Sequence, residues 1–251
     1  MDSLTAEHVG LTYATHSGQT EALRGLNLQI DAGSFVAVLG PSGCGKSSLL
    51  RMFAGLMPPT QGRLQQGDAI IAGPRRRIGI AFQKPTLMPW KSVLENVLVP
   101  ALAQGTPRAA AERRAHTLLE TVGLHGFTAA YPHELSGGMQ QRVGLARMLI
   151  TDPAILLMDE PFSALDALTR ESMMVELQRL WLAEAKTALF VTHSIAEAAF
   201  LSDRVLVMSP RPGRITAEIT CDLPRPRTLA MLETPAFASL TGRLRRALDA
   251  A

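Results

Sequence analysis

The chain has 251 residues, 47% hydrophobic and 19% charged, with a formal net charge of +3. That length and apolar content suffice for the core of one large α/β domain or two small ones, and they exclude intrinsic disorder. Gly 20, Pro 16 and only two cysteines, Cys44 and Cys221, exclude a collagen-like or disulfide-stapled chain.

The two thiols lack metal-ligand spacing, which points to a reducing compartment and no zinc site. Apolar runs are short: Ala154–Met158 meets Asp159, and Val97–Ala103 is broken by Pro100. Both fall far below the ~18 apolar residues of a membrane helix. Met1-Asp2-Ser3-Leu4 has no basic stretch and no apolar core behind it, so no signal peptide is expected and a soluble, intracellular protein is.

In chain order, the first third reads as strands. Ala22–Ile30 alternates, with Leu26, Leu28 and Ile30 on one side. Ser34–Leu39 is a short apolar strand running into a glycine-rich turn, and Lys46–Leu56 reads as a helix. Gly62–Ile71 reads as a hairpin and Ile78–Phe82 as a strand. The period then changes: Ser92–Val99 and Pro107–Val122 are helical, as is Gly137–Ile150 with Ser136 as its N-cap. Ala154–Met158 has the continuous apolar pattern of a parallel strand buried on both faces. Helix Ala167–Ala185, strand Thr187–Thr192, helix Ser194–Leu201 and strand Arg204–Met208 follow. A Pro- and Arg-rich connector, Pro224–Pro235, leads to a terminal helix around Phe237–Leu248. The pattern is α/β, with a mostly parallel core, a β-rich start and a helical insertion.

Charge is uneven. Residues 204–251 carry eight arginines against four acids. A basic tail can touch nucleic acid or anionic lipid, but no aromatics are interleaved for base stacking. A solvated face is the favoured reading, and no nucleic-acid partner is expected.

Gly40-Pro41-Ser42-Gly43-Cys44-Gly45-Lys46-Ser47 follows a strand and opens a helix. Glycines there let backbone N–H groups curl around phosphate oxygens, and the helix N-terminus adds a favourable dipole. Lys46 can reach the β- and γ-phosphates and the Ser47 hydroxyl can ligate Mg²⁺; Ser48 extends the same turn. A nucleoside triphosphate site is expected. Asp159, at the end of Ala154–Met158, suits the Mg²⁺ shell. Glu160 follows directly and has two readings, a general base facing water or a surface carboxylate at a strand end. Ser136-Gly137-Gly138 is either a second anion-binding helix terminus or an ordinary N-cap. Since the first loop already cradles one nucleotide, a second cradle suggests a nucleotide held between two copies of the chain. His193 ends a strand at the edge where α/β sites gather.

Leu135-Ser136-Gly137-Gly138-Met139-Gln140-Gln141-Arg142 resembles the signature of ATP-binding-cassette (ABC) ATPases, and the family's other motifs follow in order. Met139 departs from the commoner glutamine. The resemblance implies a P-loop NTPase fold with an N-terminal antiparallel β subdomain and a helical subdomain at about 91–150, within an ATPase domain 1–230 and before a helical tail 231–251. It implies Tyr13 as the adenine-stacking aromatic and Gln83 as the contact to Mg²⁺ and water. Ser163-Ala164-Leu165-Asp166 becomes the D-loop, and His193 a switch residue. Glu160 and His193 are then catalytic; Ser47, Gln83 and Asp159 serve Mg²⁺; and ATP is the nucleotide. The implied partners are a second copy, transmembrane permease subunits docking near Gln83–Trp90, and an extracytoplasmic solute-binding protein. The implied location is the cytoplasmic face of the bacterial inner membrane. Leu87-Met88-Pro89-Trp90 and Ser209-Pro210-Arg211-Pro212-Gly213 resemble the nitrate/sulfonate/taurine importer branch.

Two rival classes use the same loop. A GTPase needs an Asn-Lys-x-Asp guanine reader, which is absent, and a small-molecule kinase leaves Ser136–Gly138 without a task. A soluble ABC ATPase acting on DNA or ribosomes usually has two cassettes or a long coiled-coil insertion, and neither is present.

Overall fold

The computed structural model describes residues 2–15 and 18–251; Met1, in the segment read as no signal peptide, lies outside them. Two long antiparallel strands come first, β1 (Leu4–Thr15) and β2 (Gly18–Ile30). In β2 the buried Leu26, Leu28 and Ile30 alternate with exposed neighbours, as expected. The pattern in β1 is less regular: Leu4 and Ala6 are buried, then the register shifts around His8 (φ 49) and burial resumes at Val9 and Leu11. Such a bulge breaks the period-2 signal, so composition alone does not delimit β1.

Strand β3 (Phe35–Leu39) leads through the glycine turn into α1 (Lys46–Phe53). That helix ends three residues before the expected Leu56, because Gly55 adopts φ 71 and turns the chain out. Then come β4 (Gln61–Gln66), β5 (Ala69–Ile70) and β6 (Ile78–Ala81). The helical segment holds α2 (Val93–Ala103), α3 (Arg108–Thr121) and α4 (Gly137–Leu149). Pro100, expected to break its run, lies inside α2. A proline in a helix interior forfeits a hydrogen bond; here burial of Val93, Val97, Leu98 and Ala101 against the neighbouring helices outweighs that loss.

The remainder is β7 (Ile155–Asp159), α5 (Ala167–Glu184), β8 (Thr187–Thr192), α6 (Ile195–Leu201), β9 (Arg204–Met208), β10 (Ile215–Thr220) and α7 (Pro235–Asp249). Strand β10 was not anticipated, although Ile215, Ala217 and Ile219 alternate with polar residues as an edge strand does.

Among the described residues these strands form two sheets, β2-β1-β4-β5 and β10-β9-β3-β8-β7-β6. In the second, only the edge strand β10 runs antiparallel. Side chains of its central strands divide between two cores. Phe35, Ala37, Leu156, Met158, Phe190 and Val207 face the helices. Val36, Val38, Leu157, Leu189, Val191 and Leu206 face α1 and the antiparallel sheet. Helix α1 is therefore held between the sheets, with Leu49, Leu50, Met52 and Phe53 buried.

The arginine-rich connector departs from the solvated face expected of it. Arg227 is 2% exposed and donates to the carbonyls of Ala199, Phe200 and Ser202 through Nη1 and of Cys221 and Leu223 through Nη2. Gln178 of α5 brackets its backbone in both directions at 2.8 Å. Arg225 lies 4.4 Å over the Trp181 ring and donates to Asp203 Oδ1 at 2.8 Å. The two guanidiniums thus complete the C-terminal end of α6, where unpaired carbonyls and the helix dipole favour cations. Burial pulls the Arg227 guanidinium down to about 10, still protonated at neutral pH. Replacing Arg227 with Met keeps most of the volume but orphans these carbonyls, so it should cost about 3 kcal/mol or more of unfolding free energy. Urea unfolding followed by circular dichroism measures this, and a loss below about 1 kcal/mol would mean that the carbonyls find other partners.

Candidate functional site

Three parallel strands, β3, β7 and β8, end at one edge, and the chain turns there at Gly40, Glu160 and His193. A cavity of about 450 Å³ opens beside that edge, within the range of small-molecule sites. Ser42, Gly43, Gly45, Lys46, Ser47 and Ser48 form its floor; Tyr13, Gln83, Glu160, His193 and Arg211 are among its walls.

The turn requires glycine for steric reasons. Gly45 has φ +105, and a Cβ there would sit 2.4 Å from Leu23 Cδ2. Lys46 is 3% exposed, and its ammonium donates to the carbonyls of Gly40 at 2.7 Å and Pro41 at 2.8 Å. Ser47 Oγ donates to Asp159 Oδ1 at 2.8 Å, joining the loop to the end of β7. Burial pushes the Asp159 carboxyl up; the Ser47 hydroxyl opposes this and the neighbouring Glu160 charge adds to it. Cys44 is buried within the loop at 1% exposure and does not line the cavity.

Glu160 is held in an unusual backbone conformation, φ 46, while its N–H donates to Val191 O of β8 at 2.9 Å. A non-glycine residue there stores strain of order 1 kcal/mol. The turn sets the Glu160 carboxylate among two neighbours. Gln83 Nε2 donates to Oε2 at 3.2 Å, and His193 Nδ1 lies 3.1 Å from the same oxygen. Tyr13, on β1, donates or accepts at Ser48 Oγ, 2.9 Å away. Tyr13, Lys46, Ser47, Ser48, Gln83, Glu160 and His193 therefore converge on the cavity, with Asp159 behind Ser47.

Ser136, Gly137 and Gly138 lie apart from this cavity. Ser136 caps α4, its hydroxyl accepting from Met139 N at 3.2 Å, and both Ser136 and Gly137 are exposed. The loop Gln83–Trp90 divides in role. Leu87 packs against the helical core, and Met88 is tied to α2 by Asn96 through hydrogen bonds of 2.8 and 3.1 Å. Trp90 is 72% exposed.

Two residues of the site were not singled out as site residues from the sequence. Arg211, met there only within a branch marker, reaches the cavity by donating to Gly43 O from Nε at 3.2 Å and Nη2 at 3.0 Å. Glu197 of α6 lies behind His193, 5% exposed, accepting from Thr192 Oγ1 at 2.6 Å and pairing with Arg170 Nε at 3.6 Å. Ser194 and Glu197 have the capping-box spacing, a signal for the start of α6, but nothing local shows that the Glu197 carboxylate is buried against Thr192.

A family model described as ABC transporter matches residues 23–163. An uncharacterised ABC transporter ATP-binding protein of Methanocaldococcus jannaschii is 46% identical over 92% of this chain and 86% of its own length. The taurine import ATP-binding protein TauB of Rhizobium johnstonii is 48% identical over 88% of this chain and 85% of its own length. Among solved structures, a dimeric ATP-binding cassette in a post-hydrolysis state, bound to ADP and Pi, matches with a TM-score of 0.80 and 32% identity. The match covers 88% of this chain and 99% of that one.

Burial also pushes the Glu197 carboxyl up, outweighing the lowering pull of the Thr192 hydroxyl and Arg170. A carboxyl whose folded pKa exceeds its unfolded value of 4.5 binds protons more readily when folded. Its contribution therefore opposes folding at neutral pH, and stability rises as pH falls through the raised folded pKa, levelling off below about 4.5. Glu197→Gln should accordingly melt higher than wild type near pH 7, with the difference shrinking as pH approaches 4.5. Thermal melts of both proteins across that range measure it, and parallel pH profiles would refute the buried-charge account.

Proposed function

The chain belongs to the ABC transporter family, and on that premise we propose that it powers solute import through a separate membrane permease, acting as a head-to-tail pair of copies. As a member it is an ATP-binding ATPase with an α/β cassette fold. The observation that carries the proposal is the meeting of Lys46, Ser47, Gln83, Glu160 and His193 around one cavity.

In this reading Lys46 exchanges two neutral carbonyl acceptors for phosphate oxygens, which are stronger partners for an ammonium. Ser47 Oγ and Asp159 Oδ1, 2.8 Å apart, form an all-oxygen pair suited to Mg²⁺, with Gln83 as a further ligand. Among the described residues no group of three or more His, Cys, Asp or Glu could hold a metal. That sparse donor set fits an ion that retains waters and substrate phosphates; bound there, Mg²⁺ neutralises charge on the transferring group. Glu160 accepts a proton from the attacking water, a role worth about 10²–10⁴-fold. Gln83 and His193 hold its carboxylate in position.

Ser136–Gly138, outside the cavity and exposed at Ser136 and Gly137, forms the second phosphate cradle for a nucleotide held by the other copy. The dimeric solved relative supports this pairing. Trp90 offers an exposed apolar contact to the permease. No helix of the described residues is long and apolar enough to cross a membrane. In this proposal the chain is a peripheral subunit on the cytoplasmic face of the bacterial inner membrane, served by an extracytoplasmic solute-binding protein. The relatives named for taurine import support the nitrate/sulfonate/taurine branch.

Glu160→Gln should bind Mg-ATP and accumulate as a dimer on size exclusion, with phosphate release slowed at least about a hundredfold. Mixing Lys46→Ala with Ser136→Arg chains should restore part of the activity, because one composite site per mixed dimer is intact. Mixed dimers no more active than either parent would remove the trans arrangement. Trp90→Ser should leave the isolated ATPase intact and abolish its stimulation by the permease; unchanged stimulation in reconstituted vesicles argues against docking there.

A further inference from the structure

The segment 209–214 connects β9 to the edge strand β10, and the proposed chemistry gives it no task. It is nevertheless among the most tightly tied turns beside the cavity. Ser209 N donates to Arg214 O at 2.9 Å and Arg214 N to Ser209 Oγ at 3.0 Å, closing the turn on itself. Gly213 N donates to Ala22 O at 2.9 Å and Gly213 O accepts from Arg24 N at 3.1 Å, joining it to β2. The approach to the phosphate loop is so close that a Cβ on Gly213 would stand 2.0 Å from Cys44 O. Only glycine fits between the two backbones.

Arg211 extends from this fixed turn over the loop. Both Nε and Nη2 donate to the single carbonyl of Gly43, and the side chain lines the cavity. Among the described residues no carboxylate forms an ion pair with it. The guanidinium therefore keeps its full charge for the cavity and has donors to spare, since two of its five N–H groups serve Gly43. Peptide planarity gives the first contact a second effect. The Gly43 C=O and the Cys44 N–H point in opposite directions across one trans peptide. Pinning the carbonyl toward Arg211 turns the Cys44 N–H away from it, so the orientation of a phosphate-loop donor depends on a side chain 168 residues further along the chain.

We propose that Arg211 is a nucleotide-positioning residue: its hold on Gly43 fixes the phosphate-binding loop, and its charge attracts the nucleotide's β-phosphate. This rests on the reading of the cavity as the ATP site. It adds a basic residue from outside the Gly40–Ser48 loop, and it gives the Ser209–Gly213 turn a function in nucleotide affinity.

The experiment measures ATP, ADP and AMP affinity by equilibrium titration at low and high salt, with steady-state ATPase kinetics, for the full-length wild type, Arg211→Gln and Arg211→Lys. Arg211→Gln should weaken ATP and ADP binding about tenfold, barely change AMP, which lacks the β-phosphate, and flatten the salt dependence. KM should rise with little change in kcat. Arg211→Lys, which keeps the charge but not the two-donor contact, should recover part of the affinity and the salt dependence. Wild-type affinity in Arg211→Gln overturns the proposal. So does an equal loss for ATP, ADP and AMP, or a loss insensitive to salt that Arg211→Lys does not recover, because each describes a damaged fold. A wild-type chain that binds no ATP would overturn the nucleotide reading itself, and this proposal with it.

Discussion

Parallel pairing of β3, β8 and β7 is the constraint on which the rest depends. Parallel strands end at a common edge, so wherever three of them pair in register, three turns must lie side by side. Here the turns are the glycine loop after Leu39, the Asp159-Glu160 pair and His193; 119 residues separate Gly40 from Asp159 and a further 33 separate Glu160 from His193. Nothing local brings these groups together. What does is burial on both faces of the sheet, which makes any slip of register move apolar side chains into the wrong core. The Ser47–Asp159 hydrogen bond and the Glu160 N–H to Val191 are the visible joints of that arrangement.

The same edge concentrates unfavourable terms. Glu160 has a strained backbone, Asp159 and Glu197 are carboxyls pushed up by burial, and Lys46 is an almost fully buried ammonium held by two carbonyls and the Cys44 sulfur. Each would be removed by a sequence selected for stability alone. They are tolerable because the sheet beneath has two cores, and because strong local ties surround the edge. Lys46 in particular is held by two neutral carbonyl acceptors, weaker partners for an ammonium than anionic oxygens.

The C-terminal arginines connect the frame to the site in three different ways. Arg227 and Arg225 complete the end of α6, so the turn that carries His193 leads into a helix anchored at its far end. Arg204 pairs with Glu218 across the edge strands. Arg211 meets the phosphate loop. Four of the eight arginines of residues 204–251 are thereby committed to helix capping, strand pairing and loop support, while Arg214, Arg243, Arg245 and Arg246 are exposed.

Much of this was legible without coordinates. The apolar runs of β3, β7 and β8, the capped helices and the loop Gly40–Ser47 are local patterns, set by burial on two faces, capping chemistry and the φ freedom of glycine. The resemblance carried by Leu135–Arg142 identified the family. Elements decided by long-range contacts were not legible: β1 loses its period at the His8 bulge, and Pro100 is carried through a helix by packing alone. The burial of Arg227 depends on carbonyls from α6 and the segment after β10. Sequence by itself determined which chemistry the chain carries, because phosphate binding and helix capping are written in adjacent residues. Only the tertiary structure decided that Gln83 and His193 share one oxygen of Glu160, that Ser136 lies outside the cavity, and that Arg211 reaches Gly43. Those are distances between remote segments, and the sheet register and the two cores that set them have no local signature.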